Sequence, residues 1–125
     1  MRMAFSGSRR RNLMADRDAI RACLLPKSLL VDEVVHGGCP QGIDALVNEV
    51  AKELGFTVKV FRPKIEGDGR YYLKRNREMA KYSDMLYAFP FSKNGKAIRG
   101  GTEHTIRQFE ILGKPVIIFN RRAME

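Results

Sequence analysis

Short apolar runs alternate with helical patterns along the chain, and this alternation limits most strongly what the chain can fold into. The helical pattern is clearest where apolar residues recur at positions 43, 46, 47, 50, 51 and 54, with Gly55 where a C-terminal cap belongs. Residues 85–89 form a continuous apolar run, which is typical of a central parallel strand covered on both faces. The elements therefore follow the order β-α-β-α-β-α-β-α-β.

The other elements are predicted in the same way. Strands are predicted over residues 2–6, 31–36, 57–61, 85–89 and 116–119. Helices are predicted over residues 13–25, 43–54 and 70–82, and a last helix, which follows a loop ending at Gly101 and is ended by Gly113, carries Thr105, Ile106, Phe109 and Leu112. Because crossovers between parallel strands are right-handed, we expect a three-layer α/β, Rossmann-like domain: a five-stranded parallel sheet in the order 3-2-1-4-5, with helices on both faces. This order puts the switch point, where such folds bind ligands, between the first and fourth strands.

Length and charge narrow the class of protein. The chain has 125 residues, which predicts a single domain over residues 1–125. Lys and Arg total 23 against 14 Asp and Glu, a formal net charge of +9. A surplus of this size indicates a polyanionic partner such as nucleic acid, nucleotide phosphates or an acidic surface. Solubility and a thermophilic preference for Arg and Lys are the open alternatives.

Several other classes are excluded by the sequence. No apolar run approaches the ~20 residues of a membrane span, and residues 1–7 lack the apolar region of a signal peptide. We therefore predict a cytoplasmic protein with no membrane partner. Cys23 and Cys39 are expected to be thiols and match no zinc pattern, so no metal and no required cofactor is predicted. We interpret Cys39 and His36 as structural residues.

Three loops leave the carboxyl ends of predicted strands, and the first is residues 7–12. Gly7 allows a tight turn, and Ser8 offers a hydroxyl and an amide near a helix N-terminus, which suits an anion. Three arginines, beginning with Arg9, follow directly. A plain turn with Ser8 or Asn12 as helix cap is the alternative. We assign Gly7, Ser8 and Arg9 to a phosphate-binding loop.

The second loop, residues 36–44, is rich in glycine. Gly37, Gly38 and Gly42 let backbone amides approach a phosphate closely. Asp44 falls in the first turn of the following helix. There it either complements the helix dipole or accepts hydrogen bonds from ribose hydroxyls.

The third loop, residues 97–105, again leads into a helix. Gly100, Gly101 and Thr102 stand at the helix start, a combination that suits phosphate. Glu103 lies in the first turn, where a capping role is the alternative to a functional one. In the predicted strand order this loop faces the first loop across the switch point.

The helix predicted over residues 70–82 carries a polar residue on its apolar stripe. The stripe consists of Tyr72, Asn76, Met79, Ala80 and Ser83. A buried amide is costly unless it has a partner, so Asn76 is not explained by packing alone. We therefore assign Arg75 and Asn76 to the site, with Arg75 pairing with a phosphate.

Together these motifs resemble the SLOG superfamily, the Rossmann-like group that includes the DNA-processing protein DprA and the LOG proteins. The small stand-alone YspA-like SLOG proteins look most similar, and the resemblance covers residues 3–119. It rests on Gly7-Ser8-Arg9, Gly37-Gly38-x-x-x-Gly42-x-Asp44, Arg75-Asn76-Arg77-Glu78-Met79, Asp84 and Gly101-Thr102, in that order.

The resemblance implies a nucleotide-type ligand, such as a nucleoside monophosphate, ADP-ribose or an NAD-type molecule, in the crevice at the carboxyl edge of the sheet. It also implies two alternatives: a LOG-like phosphoribohydrolase that cleaves an N-glycosidic bond, and DprA-like binding of single-stranded nucleic acid. Relatives often form dimers, so a homodimer is expected.

The match to LOG enzymes is incomplete. Arg75 and Met79 fit their Arg-Lys-x-x-Met motif, with Asn76 in place of Lys, but Thr105 stands where their catalytic Glu belongs. Glu103 would point about 200° away around the helix. In the hydrolase alternative Arg75 anchors the phosphate, and Glu103 or Asp44 stabilises the reacting centre or activates water.

The predicted strand order also gathers positive charge at one edge of the sheet. The basic residues in or beside the segments at that edge, which we call the basic rim, are Arg9, Arg10, Arg11, Lys64, Arg70, Lys74, Arg75, Lys93, Lys96 and Arg99.

Overall fold

The computed structural model of the chain describes residues 1–11, 14–27, 29–93, 96–97 and 101–119. The strands in this part are β1 Arg2–Gly7, β2 Glu33–His36, β3 Val58–Val60, β4 Met85–Phe89, β5 Ser92–Lys93, β6 Lys96–Ala97 and β7 Val116–Ile118. The main sheet is parallel and five-stranded, in the order β3-β2-β1-β4-β7. With β7 counted as the fifth long strand, this confirms the predicted order 3-2-1-4-5.

Helices cover both faces of this sheet. They are α1 Met14–Leu24, followed by a short 3₁₀ turn Leu25–Lys27, then α2 Ile43–Glu53, α3 Gly69–Tyr82 and α4 Gly101–Ile111. Helices α1 and α2 pack together on one face, and α3 and α4 pack together on the other. The predicted three-layer α/β architecture is therefore confirmed.

Alternate residues of the central strands fill two apolar cores. Met3 and Phe5 of β1 face α1 and α2, whereas Ala4 between them faces α3 and α4. Every residue of β4 is buried, as expected for a central strand. Because side chains alternate along a strand, each central strand contributes to both cores.

Caps set the limits of α3, the helix that crosses beside the carboxyl edge. The Asp68 side chain accepts a hydrogen bond from the Arg70 amide and so caps the start. At the other end, Lys114 Nζ donates to the carbonyls of Ala80 and Ser83, both at 2.7 Å. The cation satisfies carbonyls that have no partner within the helix.

The predicted and observed limits of the strands differ in two places: at the start of β2 and in the loop after β4. The prediction over residues 31–36 begins two residues before β2, because Asp32 turns away to pair with the N-terminal amine. The long loop after β4 contains the antiparallel pair β5–β6, which is too short to show a periodic pattern.

Candidate functional site

The turn after β1 is organised around Ser8. Its amide donates to the carbonyl of Phe89 at 3.0 Å, and its Oγ accepts from the Arg10 amide at 3.0 Å. The Ser8 carbonyl accepts from the amides of Arg11 at 3.2 Å and Ile43 at 3.3 Å. The turn is thereby joined both to β4 and to the first residue of α2, while the Arg9 side chain remains exposed.

Two glycines allow this turn to touch α2. A Cβ on Gly42 would lie 2.3 Å from Arg9 Cα, and the Gly42 backbone has a φ of 70° and a ψ of −142°. A Cβ on Gly7 would lie 2.4 Å from Cγ1 of Ile43. Both glycines are therefore required by contacts within the chain, whatever the ligand.

The second loop is held by the buried Asp44. Its Oδ2 accepts from the Cys39 amide at 3.1 Å, and the nearby Gly37 amide also favours the charged carboxylate. Burial raises the pKa of Asp44, while His36 and the loop amides act to lower it. Asp44 thus organises the loop itself, and its contact with a ribose stays a prediction.

His36 holds the same loop from the other side. Its Nδ1 accepts from the Gly38 amide at 3.0 Å, and its Nε2 lies 3.1 Å from Oδ1 of Asn48. These partners require the neutral form with the proton on Nε2. Burial, the largest cause, lowers the pKa of His36, which fits the interpretation of this residue as structural.

His36 should make the fold sensitive to mild acid. A histidine that stays neutral in the folded state contributes stability that is complete above its unfolded pKa of about 6.5 and is lost as pH falls towards its lower folded value. We expect the free energy of unfolding to fall more steeply between pH 7.5 and pH 5 in the wild type than in His36→Gln. Urea unfolding at both pH values measures this, and parallel pH dependences would contradict it.

Arg75 reaches across the second loop from α3. Its Nη1 donates to the carbonyls of Gly37 at 2.6 Å and Phe61 at 3.2 Å, and its Nε donates to Oδ1 of Asn76 at 2.8 Å. Within the described residues its Nη2 makes no hydrogen bond. Arg75 is therefore fixed in place with one terminal nitrogen left for a ligand.

Asn76 has the partners that a buried amide requires. Its Nδ2 donates to the Gly101 carbonyl at 3.3 Å and lies 3.2 Å from Nδ1 of His104. These contacts satisfy the buried amide within the chain, and the assignment of Asn76 to a ligand site stays a prediction. His104 was not predicted as a site residue, because nothing in the local sequence connects it to a helix 28 residues earlier.

The first turn of α4 offers amides that have no acceptor within the helix. Space around Gly101 is open, and its carbonyl accepts from Asn76 and from Oγ1 of Thr105 at 2.9 Å. Glu103 lies 3.7 Å from Arg107 in the next turn, and its catalytic role stays a prediction. Gly100 lies outside the described residues.

The backbone amides of the three loops differ in whether they already have a hydrogen-bond acceptor. Those of Ser8 and Gly38 already donate to acceptors of the protein. The amides of Gly101 and Thr102 begin a helix and have no such acceptor within it. The contact of any of these amides with a phosphate stays a prediction.

One member of the predicted basic rim points inwards. Arg11 is buried and pairs with the buried Asp16 at 2.6 Å, and it donates to the carbonyls of Pro90 and Phe119. Arg70 is likewise paired, with Asp68 at 2.9 Å. The expectation of a uniformly available rim is therefore wrong at these two residues. Arg99 and the side chains of Lys93 and Lys96 lie outside the described part.

The remaining arginines are distributed unevenly. Within the described ranges, the arginines paired with a carboxylate are Arg2, Arg11, Arg17, Arg21, Arg70 and Arg107. Those in the same ranges without such a pair are Arg9, Arg10, Arg62, Arg75 and Arg77. Arg9 and Arg10 follow β1, and Arg62 and Arg75 contact the loop after β2. Within the described part, arginines without a carboxylate ion pair thus gather at the carboxyl edge, where the buried Asp44 is the carboxylate whose charge acts on Arg75.

A cleft of about 430 Å³ opens beside Arg9 at the start of α2. Its lining residues are Arg9, Pro40, Gln41, Gly42, Ala45, Leu46 and Glu49. Its volume lies in the range of small-molecule sites. The cleft, Arg75 and the start of α4 together make up the candidate site.

The strand order and the helices on both faces define a doubly wound α/β protein. No protein-family model matches the chain, and no curated protein matches it. Among solved structures it is similar to the molybdenum cofactor binding protein from the phototrophic bacterium Rippkaea orientalis, with a TM-score of 0.73 and 17% identity over 98% of this chain and 78% of that one.

Two further structures share the fold. The molybdenum cofactor carrier protein of Chlamydomonas reinhardtii has a TM-score of 0.69 and 15% identity, over 96% of this chain and 77% of its own. DNA processing protein A of Helicobacter pylori, whose structure shows a single-stranded DNA binding mode, has a TM-score of 0.69 and 16% identity, over 100% and 67%. At these identities the comparisons show a common fold.

Two other features of the described residues bear on function. They contain no group of three or more His, Cys, Asp or Glu side chains arranged to hold a metal ion. None of their helices is long and apolar enough to cross a membrane.

Proposed function

We propose that this protein binds a nucleotide or a nucleotide-derived phosphate ligand, of the nucleoside monophosphate, ADP-ribose or NAD type, at the carboxyl edge of the sheet. The observation that carries the proposal is the set of arginines at that edge that have no carboxylate partner. Elsewhere in the described part, the half-buried Arg17 and Arg21 are paired with carboxylates of a neighbouring helix, whereas the exposed Arg77 of α3 has no such pair. Guanidinium groups left unpaired beside a crevice are suited to phosphate.

The first turn of α4 is a second feature suited to an anion. The amides of Gly101 and Thr102 have no acceptor within the helix, and the positive end of the helix dipole lies beside them. Arg75 approaches the same region, since Asn76 bonds to both Arg75 and Gly101. A phosphate placed there would accept hydrogen bonds from these amides and from the Arg75 guanidinium.

The neighbouring structures support a binding function of this kind. Two are described as binding or carrying the molybdenum cofactor, a small molecule, and the third binds single-stranded DNA. A fold that carries a small molecule in one protein and binds a polyanion in another is compatible with a phosphate-containing ligand here.

A matched set of arginine variants tests the proposal. We expect AMP, ADP-ribose or NAD to raise the melting temperature of the wild type with the logarithm of its concentration. Arg9→Gln and Arg75→Gln should each weaken binding by about tenfold or more, because each removes a charged hydrogen bond to phosphate. Arg21→Gln removes the same charge from an exposed ion pair on α1 and should bind as the wild type does.

Two results would overturn the proposal. The first is a wild type that none of these ligands stabilises at millimolar concentration. The second is an equal loss of affinity in Arg21→Gln and Arg75→Gln, which would show that only net charge matters.

Single-stranded nucleic acid is the second candidate ligand, because aromatic rings lie beside the unpaired arginines. The guanidinium of Arg10 lies 5.7 Å from the centroid of the Phe91 ring, and that of Arg75 lies 5.5 Å from that of Tyr72. Such pairs are suitable platforms for bases. This candidate predicts an oligonucleotide affinity that falls steeply with salt, and an affinity independent of salt would exclude it.

The hydrolase alternative and the homodimer stay open. Turnover would appear as free base released from a nucleoside monophosphate, and it should be lost in Glu103→Ala if that residue takes part. Sedimentation equilibrium measures the oligomeric state.

A further inference from the structure

The side chain of Asn76 lies between two elements that are far apart in sequence. It is almost fully buried, with 3% exposure. On one side its Oδ1 accepts from Arg75 Nε at 2.8 Å. On the other its Nδ2 donates to the Gly101 carbonyl at 3.3 Å. One amide thereby connects the guanidinium on α3 with the first residue of α4.

These partners fix the orientation of the amide. A guanidinium nitrogen can only donate and a carbonyl can only accept, so Asn76 must present its oxygen to Arg75 and its nitrogen to Gly101. The nitrogen also faces Nδ1 of His104 at 3.2 Å, so that ring atom has to be the acceptor. The proton of a neutral His104 then sits on Nε2, 3.3 Å from the Gln108 amide, and because the Gln108 nitrogen can only donate, that amide must turn its oxygen towards this ring atom.

We propose that Asn76 is a positioning residue that makes Arg75 and the N-terminus of α4 a single anion-binding unit, without touching the ligand itself. The inference rests on the proposed function. Arg75 Nη1 is committed to the carbonyls of Gly37 and Phe61. The hydrogen bond from Nε to Asn76 then holds the remaining nitrogen in place, while Nδ2 holds the helix start.

A double-mutant cycle with AMP as the probe measures this coupling. Asn76→Ala and Arg75→Gln should each weaken AMP binding by about tenfold. If Asn76 acts through Arg75 and the start of α4, the double variant should bind within about threefold of the weaker single variant, whereas independent losses would multiply to about a hundredfold. Multiplying losses, or an Asn76→Ala variant that binds AMP as the wild type does, would overturn the inference.

Histidine NMR gives a readout that does not need a ligand. The chain has two histidines, so both ring signals are resolved together. We expect His104 to be the Nε2–H tautomer in the wild type, and Asn76→Ala to raise its pKa because the donor to Nδ1 is gone. Asn48→Ala is the matched control and should change His36 alone. A His104 signal that Asn76→Ala leaves unchanged would overturn the proposed contact.

Asn76→Asp covers the case in which the alanine variant does not fold. Its carboxylate still accepts from Arg75 but cannot donate to Gly101 or His104. We expect it to raise the pKa of His104 and to weaken AMP binding. If the wild type binds none of the ligands, the proposed function fails and this inference with it. If the wild type binds AMP and the losses multiply, the positioning role alone fails.

Discussion

Replacing Arg11 by methionine is expected to lower the free energy of unfolding by about 3–5 kcal/mol, because it leaves the buried carboxylate of Asp16 without its cation. Both side chains are 5% exposed and lie 2.6 Å apart. Arg11 also donates to the carbonyls of Pro90 and Phe119, which follow β4 and β7, so the variant leaves these acceptors without their donor. Urea unfolding at pH 7 measures the loss.

Arg21→Met is the control for this prediction. Arg21 pairs with the exposed Glu53, so its replacement should cost less than about 1 kcal/mol. Replacing Arg11 by methionine and Asp16 by leucine together should cost less than Arg11→Met alone, because no buried charge is left unpaired. An Arg11→Met variant as stable as the control would show that the buried pair contributes little.

Replacing Gly42 by alanine should also lower stability by about 3–5 kcal/mol. The new Cβ would lie 2.3 Å from Arg9 Cα and 2.4 Å from the Ser8 carbonyl oxygen, at a backbone conformation that side chains rarely adopt. The turn after β1 would have to move away from α2. We therefore expect AMP binding to weaken in the same variant.

Gly55→Ala is a control that introduces backbone strain without a steric clash. Gly55 has a φ of 82°, but a Cβ there would meet nothing within 4 Å. Gly55→Ala should lower the free energy of unfolding by about 1–2 kcal/mol, from backbone strain alone, and should leave AMP binding unchanged. Urea unfolding measures both variants. If Gly42→Ala and Gly55→Ala lose the same free energy of unfolding, the close approach of the turn to α2 is unimportant for stability.

Much of the fold is predictable because local patterns and strand handedness leave few choices. The spacing from Ile43 to Leu54 predicts α2, and the buried run over residues 85–89 predicts the central strand; both are confirmed. Alternation with crossovers of one hand leaves a few strand orders, and the predicted one is confirmed. The first two loops meet at one edge of the sheet, where the Ile43 amide donates to the Ser8 carbonyl.

The directions of individual side chains were less predictable. Arg9, Arg10 and Arg11 look equivalent in sequence, yet only Arg11 turns inwards, towards the carbonyl of Phe119, which is 108 residues away. His104 likewise meets Asn76 only because α3 and α4 pack together. Such contacts depend on which helices pack together in the fold, and the local sequence does not predict this packing.

The glycines that line the first two loops have a practical consequence for finding relatives of this protein. Gly7, Gly37 and Gly42 leave room for Ile43, Arg75 and the backbone of Arg9 respectively. A search pattern built on these glycines would therefore collect chains by how their loops fit together, including any that bind something quite different. Proteins that share a ligand with this one would be better sorted by whether they retain Arg9, Arg75 and Asn76.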